Sequence, residues 1–145
     1  MRTDSVRREA AAGGGPALFQ LVRFWSRRWA ATDVDGQVGH ILVLEAIDAA
    51  ARRGSALITD VAVELGLDRS NASRMLAAAV AAGLVSKDVS AQDARRTMLG
   101  ITPDGARLLT AAREWQAETF ARLVDGWPTA DVRRFADYLM RLAAS

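Results

Sequence analysis

Two reactive residue types are scarce in this chain of 145 residues, since cysteine is absent and His40 is the only histidine. Without cysteine there is no disulfide, thiolate metal site, thiol nucleophile or thiol redox sensor. A single histidine leaves too few imidazole ligands for a histidine-based zinc site. The sequence therefore predicts a protein that works without a metal ion or another cofactor.

Long apolar runs are absent as well. The longest run covers residues 75–82, whereas a transmembrane helix needs roughly 18 to 20 apolar residues. The N-terminal arginines are followed by three glycines at positions 13–15, where a secretory signal would carry its apolar segment. We therefore expect a cytoplasmic protein that does not interact with a membrane.

Half of the residues are hydrophobic and a quarter are charged, which is typical of one folded domain at this length. The net charge is only +2 although the isoelectric point is about 9.9, because all but one of the basic residues are arginines. A high isoelectric point of this origin is weak evidence for nucleic acid binding. The distribution is more informative, because residues 1–30 hold six arginines and only two acidic residues.

The first 15 residues combine basic residues, alanine and glycine, and are predicted to form a flexible basic arm. Residues 16–145 are predicted to form a single, mainly α-helical domain. Apolar residues recur at helical spacing in a first helix, about residues 16–31, and in a second helix that ends near Gly54. A short strand is expected at residues 55–57.

The centre of the sequence has the pattern of a helix-turn-helix. Thr59 is expected to cap a short helix that ends at Gly66, and Asp68 is expected to cap a second helix, about residues 69–82. The second helix places small and apolar residues on one face and polar residues on the opposite face. This arrangement is typical of a helix that packs on a core and presents a polar surface.

Two strand-like runs follow the helix-turn-helix and predict a β-hairpin with arginines at its tip. Thr102 and Pro103 then begin a long helix, and Thr129 begins the last one. The order of elements predicts a winged helix-turn-helix lobe between flanking helices. The lobe is expected at about residues 37–102, and the flanking helices at about residues 16–31 and 103–144.

Four motifs in this region resemble the MarR family of bacterial transcription regulators. They are the helix-turn-helix sequence from Ile58 to Ser70, the Gly-Leu-Val sequence at 83–85, the Asp93-Ala94-Arg95 sequence and the Ile-Thr-Pro-Asp-Gly sequence at 101–105. The resemblance covers about residues 37–109, and Gly100 departs from it at a strand position. It implies a homodimer that binds DNA and regulates transcription, with repression relieved by a small molecule.

The exposed face of the second helix of the helix-turn-helix carries side chains suited to the major groove of double-stranded DNA. Arg74 is a candidate donor to guanine and Asn71 to adenine, while the two serines can hold phosphates or bases. An ordinary polar surface helix is the alternative, and the attached hairpin favours DNA. The candidate DNA-binding residues on the two helices are Thr59, Arg69, Ser70, Asn71, Ser73 and Arg74.

Arg95 and Arg96 near the tip of the hairpin can enter the minor groove, where a narrow groove attracts a planar cation. The resemblance implies that Arg95 is the inserting residue. Asp93 is expected to position the loop or the arginine through a charge-assisted hydrogen bond. The alternative is a solvated turn with an exposed ion pair of little energetic value.

The flanking helices carry more apolar surface than one small lobe requires. The resemblance implies that they pair in a homodimer on a pseudo-palindromic operator, and a monomer core is the alternative. The residues concerned are Trp25, Trp29, Trp115, Phe120, Trp127, Phe135 and Leu139. The resemblance also implies a small aromatic or anionic effector, for which Trp25, Trp29 and His40 are the candidate lining, with an arginine at 23, 27 or 28 nearby. Ordinary core packing is the alternative for each of them.

Two other functional classes compete with DNA binding as interpretations of the same residues. An enzyme would need a nucleophile with its base, paired carboxylates or a phosphate-binding glycine loop, and the sequence shows none of these. A winged helix can also bind another protein, and this alternative stays open. A protein-binding winged helix predicts weak DNA binding that does not depend on Arg74 or Arg95. The preferred interpretation is a DNA-binding regulator, which is expected to be associated with the nucleoid when it is bound to DNA.

Overall fold

The computed structural model describes residues 2–31, 33, 36–89, 93 and 96–145. These residues form seven α-helices and one two-stranded antiparallel sheet. In chain order the elements are α1 Arg2–Ala11, α2 Gly14–Ala31, α3 Gln37–Arg52, α4 Ile58–Leu65, α5 Arg69–Ala81, β1 Val85–Val89, β2 Thr97–Ile101, α6 Pro103–Leu123 and α7 Thr129–Ala143. The predicted fold class, mainly α-helical with a β-hairpin wing, is confirmed. None of the helices among the described residues is long and apolar enough to cross a membrane.

The N-terminal segment differs from the flexible arm expected from the sequence, because α1 is helical over Arg2–Ala11. Its alanines and arginines have high helix propensity. Asp4 in its first turn and Arg8 in its last turn also interact favourably with the helix dipole. Residues 3–11 are all exposed, so α1 forms by local preference and not by burial. The division into arm and domain remains a prediction.

Helix α3 is the centre of the hydrophobic core. Val43, Leu44 and Ile47 on this helix are at most 2% exposed. They belong to one buried cluster with Val61 of α4 and Leu76 of α5, and with residues of both strands and of α6. The core therefore ties the helix-turn-helix and the hairpin to one central helix.

Helix α4 begins earlier than expected, and the prediction that Thr59 caps it is wrong. The N-cap is Leu57, whose backbone is extended and whose N–H donates to the Asp60 carboxylate at 3.3 Å. Leu57 also pairs with Met98 of β2 in an isolated β-bridge. This contact with the hairpin ends the extended segment at Leu57, so Thr59 lies within the first helical turn and is exposed.

The turn between α4 and α5 follows the sequence prediction. Gly66 adopts a left-handed conformation with φ of 63°, which a glycine accepts without steric cost. The carboxylate of Asp68 accepts a hydrogen bond from the N–H of Asn71 at 2.9 Å and thereby caps α5. The inward face of α5 is buried at Ala72, Leu76 and Ala79, as predicted.

The hairpin and α6 are joined by a close contact of backbone segments. The strands pair in antiparallel register from Val85 opposite Ile101 to Val89 opposite Thr97. The Thr102 hydroxyl donates to the carbonyl of Gly83 at 2.6 Å and accepts from the N–H of Gly105 at 3.1 Å. The predicted start of α6 at Thr102 and Pro103 is confirmed.

The flanking helices α2 and α7 contain no buried residue, although both carry apolar stripes. Trp25 of α2 meets Trp115 of α6 edge to face, with ring centroids 5.8 Å apart. Phe135 of α7 stacks against Phe120 of α6 at 5.9 Å. The aromatic side chains therefore touch one another across the three helices without being enclosed.

Candidate nucleic-acid interface

The outward face of α5 presents three of the predicted DNA-binding residues to solvent. Ser70, Ser73 and Arg74 are exposed, and Asn71 is half-buried at the start of the helix. This face lies opposite the buried residues that pack against α3. The core thus fixes α5 so that a polar, positively charged surface points away from the protein.

A chain of hydrogen bonds runs along the first turn of α5. The side-chain amide of Asn71 donates to the Asp68 carboxylate at 2.5 Å, and its oxygen accepts a hydrogen bond from the Arg74 guanidinium. Hydrogen bonds from the backbone and side chain of Asn71 lower the pKa of Asp68 below its ordinary value. Sequence reasoning assigned Asn71 to a base, whereas the structure shows its amide bound to two neighbouring side chains.

A shallow groove between α4 and α5 brings together Thr59, Arg69 and Ser73. The sequence predicts each of these three residues to be a DNA-binding residue. These residues line a cavity of about 220 Å³ together with the exposed apolar residues Val63 and Leu67. Apolar side chains at such a surface can contact the methyl group of thymine. Neither valine nor leucine was singled out from the sequence, because an apolar residue there is equally compatible with the core.

The wing is described only in part. Arg95, the predicted minor-groove residue, lies outside the described residues. Arg96 and Asp93 are both exposed, and the N–H of Arg96 donates to the carbonyl of Asp93 at 2.9 Å. This backbone bond brings the two ends of the predicted tip close together, while the predicted role of Asp93 towards Arg95 remains a prediction.

A large apolar cavity of about 570 Å³ lies between α2, α6 and α7. Its walls include every residue of the predicted pairing surface except Trp115, namely Trp25, Trp29, Phe120, Trp127, Phe135 and Leu139. Trp127 is 49% exposed, and Phe19 and Val22 on α2 are more than half exposed. Large exposed apolar patches are typical of sites that bind another protein or a ligand.

The predicted effector residues do not converge on one site. Trp25 and Trp29 line the large cavity, and Trp29 also borders a second cavity of about 180 Å³ between α2, α3 and α6. His40 is half-buried on α3 and is not among the residues that line either of these two cavities. Asp33 and Trp115 line the second cavity, and neither residue was predicted from the sequence to line an effector site.

An ionic cluster joins the lobe to α6. The Arg113 guanidinium donates to Asp48 at 2.6 Å and to Glu45 at 2.8 and 3.2 Å, and Arg52 approaches the same Asp48 at 3.1 Å. Hydrogen bonds to Glu45 and Asp48 raise the pKa of Arg113. No local sequence signal could identify the contact of Arg113, because its two acidic partners lie 65 and 68 positions away.

The comparisons with known proteins agree with this architecture. Residues 32–96, a little under half of the chain, match the sequence model of the MarR family. No curated protein matches the chain in sequence.

Several solved structures share the fold over nearly the whole chain. A MarR family protein from Bacillus stearothermophilus is similar with a TM-score of 0.72 and 14% identity over 95% of each chain. The PcaV transcriptional regulator from Streptomyces coelicolor, in complex with its natural ligand, gives a TM-score of 0.61 and 21% identity over 90% of this chain and 92% of that one. A mutant of MepR from S. aureus bound to an oligodeoxyribonucleotide gives 0.57 and 22% over 89% and 95%.

The sequence match covers the segment from the start of α3 to the wing, and the fold similarity extends to the flanking helices. Residues 32–96 are similar to the MarR family, and the described chain has the winged helix-turn-helix fold of MarR family proteins.

Proposed function

We propose that this protein is a homodimeric repressor that binds a pseudo-palindromic DNA operator and is released from it by a small molecule. The observation that carries the proposal is the outward face of α5, where Arg74 is held by Asn71 and flanked by exposed Ser70 and Ser73. The second helix of a helix-turn-helix inserts such a face into the major groove. The MepR structure with a bound oligodeoxyribonucleotide supports the same use of this fold.

Each half-site is read by α5 and the wing of one protomer. Arg74 donates to guanine, the serines and Arg69 contact phosphates or base edges, and Thr59 contacts the backbone from α4. Arg95 and Arg96 enter the adjacent minor groove, with Asp93 positioning the loop. Two α5 helices about 34 to 36 Å apart would then read half-sites one helical turn apart.

The exposed apolar residues of α2 and α7 support the homodimer. An amphipathic helix gains most of its stability by burying its apolar face, and neither helix buries a residue within one protomer. A second copy of these helices would cover the 570 Å³ cavity and Trp127 at its edge. We expect sedimentation equilibrium to give a dimer for the wild type and a shift towards monomer for Trp127→Glu, and a monomeric wild type would contradict the proposal.

The test of DNA binding is fluorescence anisotropy with the duplex upstream of the protein's own gene and a scrambled duplex, over a series of salt concentrations. We expect the wild type to prefer its own duplex by about a thousandfold or more, with affinity falling steeply as salt rises. Arg74→Ala removes one guanine contact and is expected to weaken specific binding by roughly tenfold to a hundredfold. Arg95→Ala is expected to weaken binding strongly without changing helicity or dimerisation.

Arg133→Ala is the matched control, because it removes the same charge from an exposed position on α7. We expect it to leave the preference for the operator intact. Weak binding that is equal on both duplexes and insensitive to Arg74 and Arg95 would contradict the proposal and favour a winged helix that binds another protein.

A further inference from the structure

Helix α6 belongs to two parts of the molecule. Its first half packs into the winged lobe, where Gly105 and Leu109 are buried and Leu109 joins the core cluster around α3. Its second half meets the flanking helices, since Trp115 contacts Trp25 of α2 and Phe120 stacks on α7. The angle between α6 and α3 therefore decides where the lobe lies relative to the flanking helices.

Arg113 lies between these two halves, and its side chain bridges to α3. The guanidinium donates to both carboxylate oxygens of Glu45, at 3.2 and 2.8 Å, and to Asp48 at 2.6 Å. A bidentate contact of this kind fixes the direction of the side chain as well as its distance. Asp48 is also paired with Arg52 at 3.1 Å, so the ionic cluster holds α6 against α3 at this point.

Apolar packing next to Arg113 is incomplete. The cavity of about 180 Å³ between α2, α3 and α6 lies here, and its lining includes Ile41 of α3 and Ala112 and Trp115 of α6. Side chains on opposite sides of a void make no dispersion contact with each other, so they restrain the angle between the helices less than close packing would. The polar contacts of Arg113 therefore carry a larger share of that restraint.

We propose that Arg113 is a positioning residue for DNA binding. Its contacts with Glu45 and Asp48 hold the lobe at the angle that matches the two α5 helices of a dimer to the spacing of the operator half-sites. Arg113 acts through α3, which packs Leu44 into one cluster with Leu76 of α5, and not by contact with DNA. The effect on DNA binding rests on the proposed function, whereas the restraint of the lobe by Arg113 does not.

A small change in the angle is enough to disturb this match. From Arg113 to Pro103, α6 extends over about 15 Å, so a tilt of about 10° moves its lobe end by about 3 Å. One base pair occupies about 3.4 Å along the DNA. A lobe that tilts freely therefore samples positions that differ by nearly one base pair, and the dimer then distinguishes half-site spacings poorly.

The size of the effect follows from the exposure of the ionic cluster. The Arg113 side chain is 43% exposed, and those of Glu45 and Asp48 are 31% and 29% exposed, so solvent weakens their attraction. We expect loss of these contacts to change the population of the matched lobe orientation about fivefold in each protomer, equivalent to about 1 kcal/mol. Because a dimer must place both lobes at once, its preference for the correct spacing falls by up to about 25-fold.

The experiment measures how well the protein distinguishes half-site spacings. Footprinting on the duplex upstream of its own gene locates the half-sites, and fluorescence anisotropy compares that operator with duplexes that carry one inserted base pair or a single half-site. We expect the wild type to prefer the correct spacing, and Arg113→Met to lose up to about 25-fold of this preference. Its affinity for the single half-site should change no more than that of a charge-matched control, because one lobe alone needs no matching spacing.

Arg107→Met is the matched control, because Arg107 pairs with Asp104 within α6. This change removes the same charge, and we expect it to leave the spacing preference intact. Exchanging the partners, Arg113→Glu together with Glu45→Arg, keeps the net charge and re-forms a pair across the two helices. We expect the exchange to recover most of the preference that Arg113→Glu alone loses, which a general effect of charge or stability would not do.

The restraint itself is measured without DNA. The chain contains no cysteine, so Ser73→Cys on α5 and Asp137→Cys on α7, both at exposed positions, can carry spin labels for pulsed EPR distance measurements in protein diluted with unlabelled copies. We expect Arg113→Met to broaden the distribution of distances between the two labels and Arg107→Met to leave it unchanged. A distribution that stays as narrow in Arg113→Met as in the wild type would overturn the proposal.

The two proposals fail separately. A wild type that binds its own duplex and a scrambled duplex equally contradicts the proposed function, and the label distances still test the restraint by Arg113. Undiminished discrimination of half-site spacings by Arg113→Met, in a protein that binds its operator, overturns the positioning role alone. An equal loss of affinity for the operator and for the single half-site overturns it as well, because a positioning residue matters only where two lobes must bind at once.

Discussion

The junction between the wing and α6 depends on Gly105, and replacement of this glycine by alanine is the sharpest test of the packing at that junction. Gly105 is buried in the first turn of α6. A Cβ atom at this position would lie 2.2 Å from the carbonyl oxygen of Leu84 and about 3 Å from Ile101 and Leu44. The nearest contact is with backbone, so it cannot be relieved by rotating a side chain.

The cost of Gly105→Ala follows from this geometry. A carbon–oxygen contact is normally at least about 3.3 Å, so the backbone must move by about 1 Å. Overpacking of this kind costs about 1 to 3 kcal/mol. The displaced Leu84 carbonyl also accepts the N–H of Thr102 at 3.1 Å, and weakening that bond adds about 1 kcal/mol. The higher helix propensity of alanine returns about 1 kcal/mol, so we expect a net loss of about 1 to 3 kcal/mol, or roughly 3 to 10 °C in Tm.

Gly100→Ala provides a matched control in the neighbouring strand. Its Cβ would lie 2.7 Å from the Ser86 hydroxyl, which can turn away, and alanine is the better strand residue by about 0.5 to 1 kcal/mol. Urea unfolding, followed by far-UV circular dichroism at one protomer concentration, measures both variants. A Gly105→Ala variant as stable as the wild type, or no less stable than Gly100→Ala, would refute the argument from close approach.

Three further perturbations test the helix cap, the ionic cluster and the hydrogen-bonded turn of α5. The pKa of Asp68 is lowered by Asn71, so its capping benefit is present at neutral pH and is lost as pH falls. The difference in unfolding free energy between wild type and Asp68→Ala should therefore shrink between about pH 5 and pH 2, and a constant difference would contradict this cause. Arg113→Met should lower the unfolding free energy by about 1 kcal/mol at low salt and by less in 1 M NaCl, and equal losses at both salt concentrations would exclude an electrostatic origin. Asn71→Ala should weaken operator binding less in an Arg74→Ala background than in the wild type, whereas equal losses in both backgrounds would show that the two residues act separately.

Local signals predicted those parts of the fold that depend on neighbouring residues. Asp68, Thr102 and Pro103 mark helix starts by capping chemistry, and Gly66 marks a helix end by its left-handed backbone. Each of these works within four or five positions of the chain. Because these signals act locally, the helix starts and the helix end that they predict are confirmed by the structure.

Long-range contacts decided the features that the sequence did not predict. The start of α4 is set by the bridge between Leu57 and Met98 and not by Thr59. The attachment of Arg113 to Glu45 and Asp48 likewise joins distant segments. Capping preferences carry no information about such partners, so a residue with good capping chemistry can still lie inside a helix.

The role of Asn71 illustrates the same distinction at the candidate site. Residue type alone suggests an adenine contact, since a side-chain amide matches the edge of that base. In the structure the amide nitrogen donates to Asp68 and the amide oxygen accepts from Arg74, so one N–H and one lone pair remain, and the two contacts fix the direction in which they point. Arg74 is less constrained, because the guanidinium has five N–H donors and Asn71 engages only one end of it. A long side chain that is held in one orientation before binding loses less conformational entropy when the protein binds DNA. Asn71 is therefore better suited to orient Arg74 than to read a base itself.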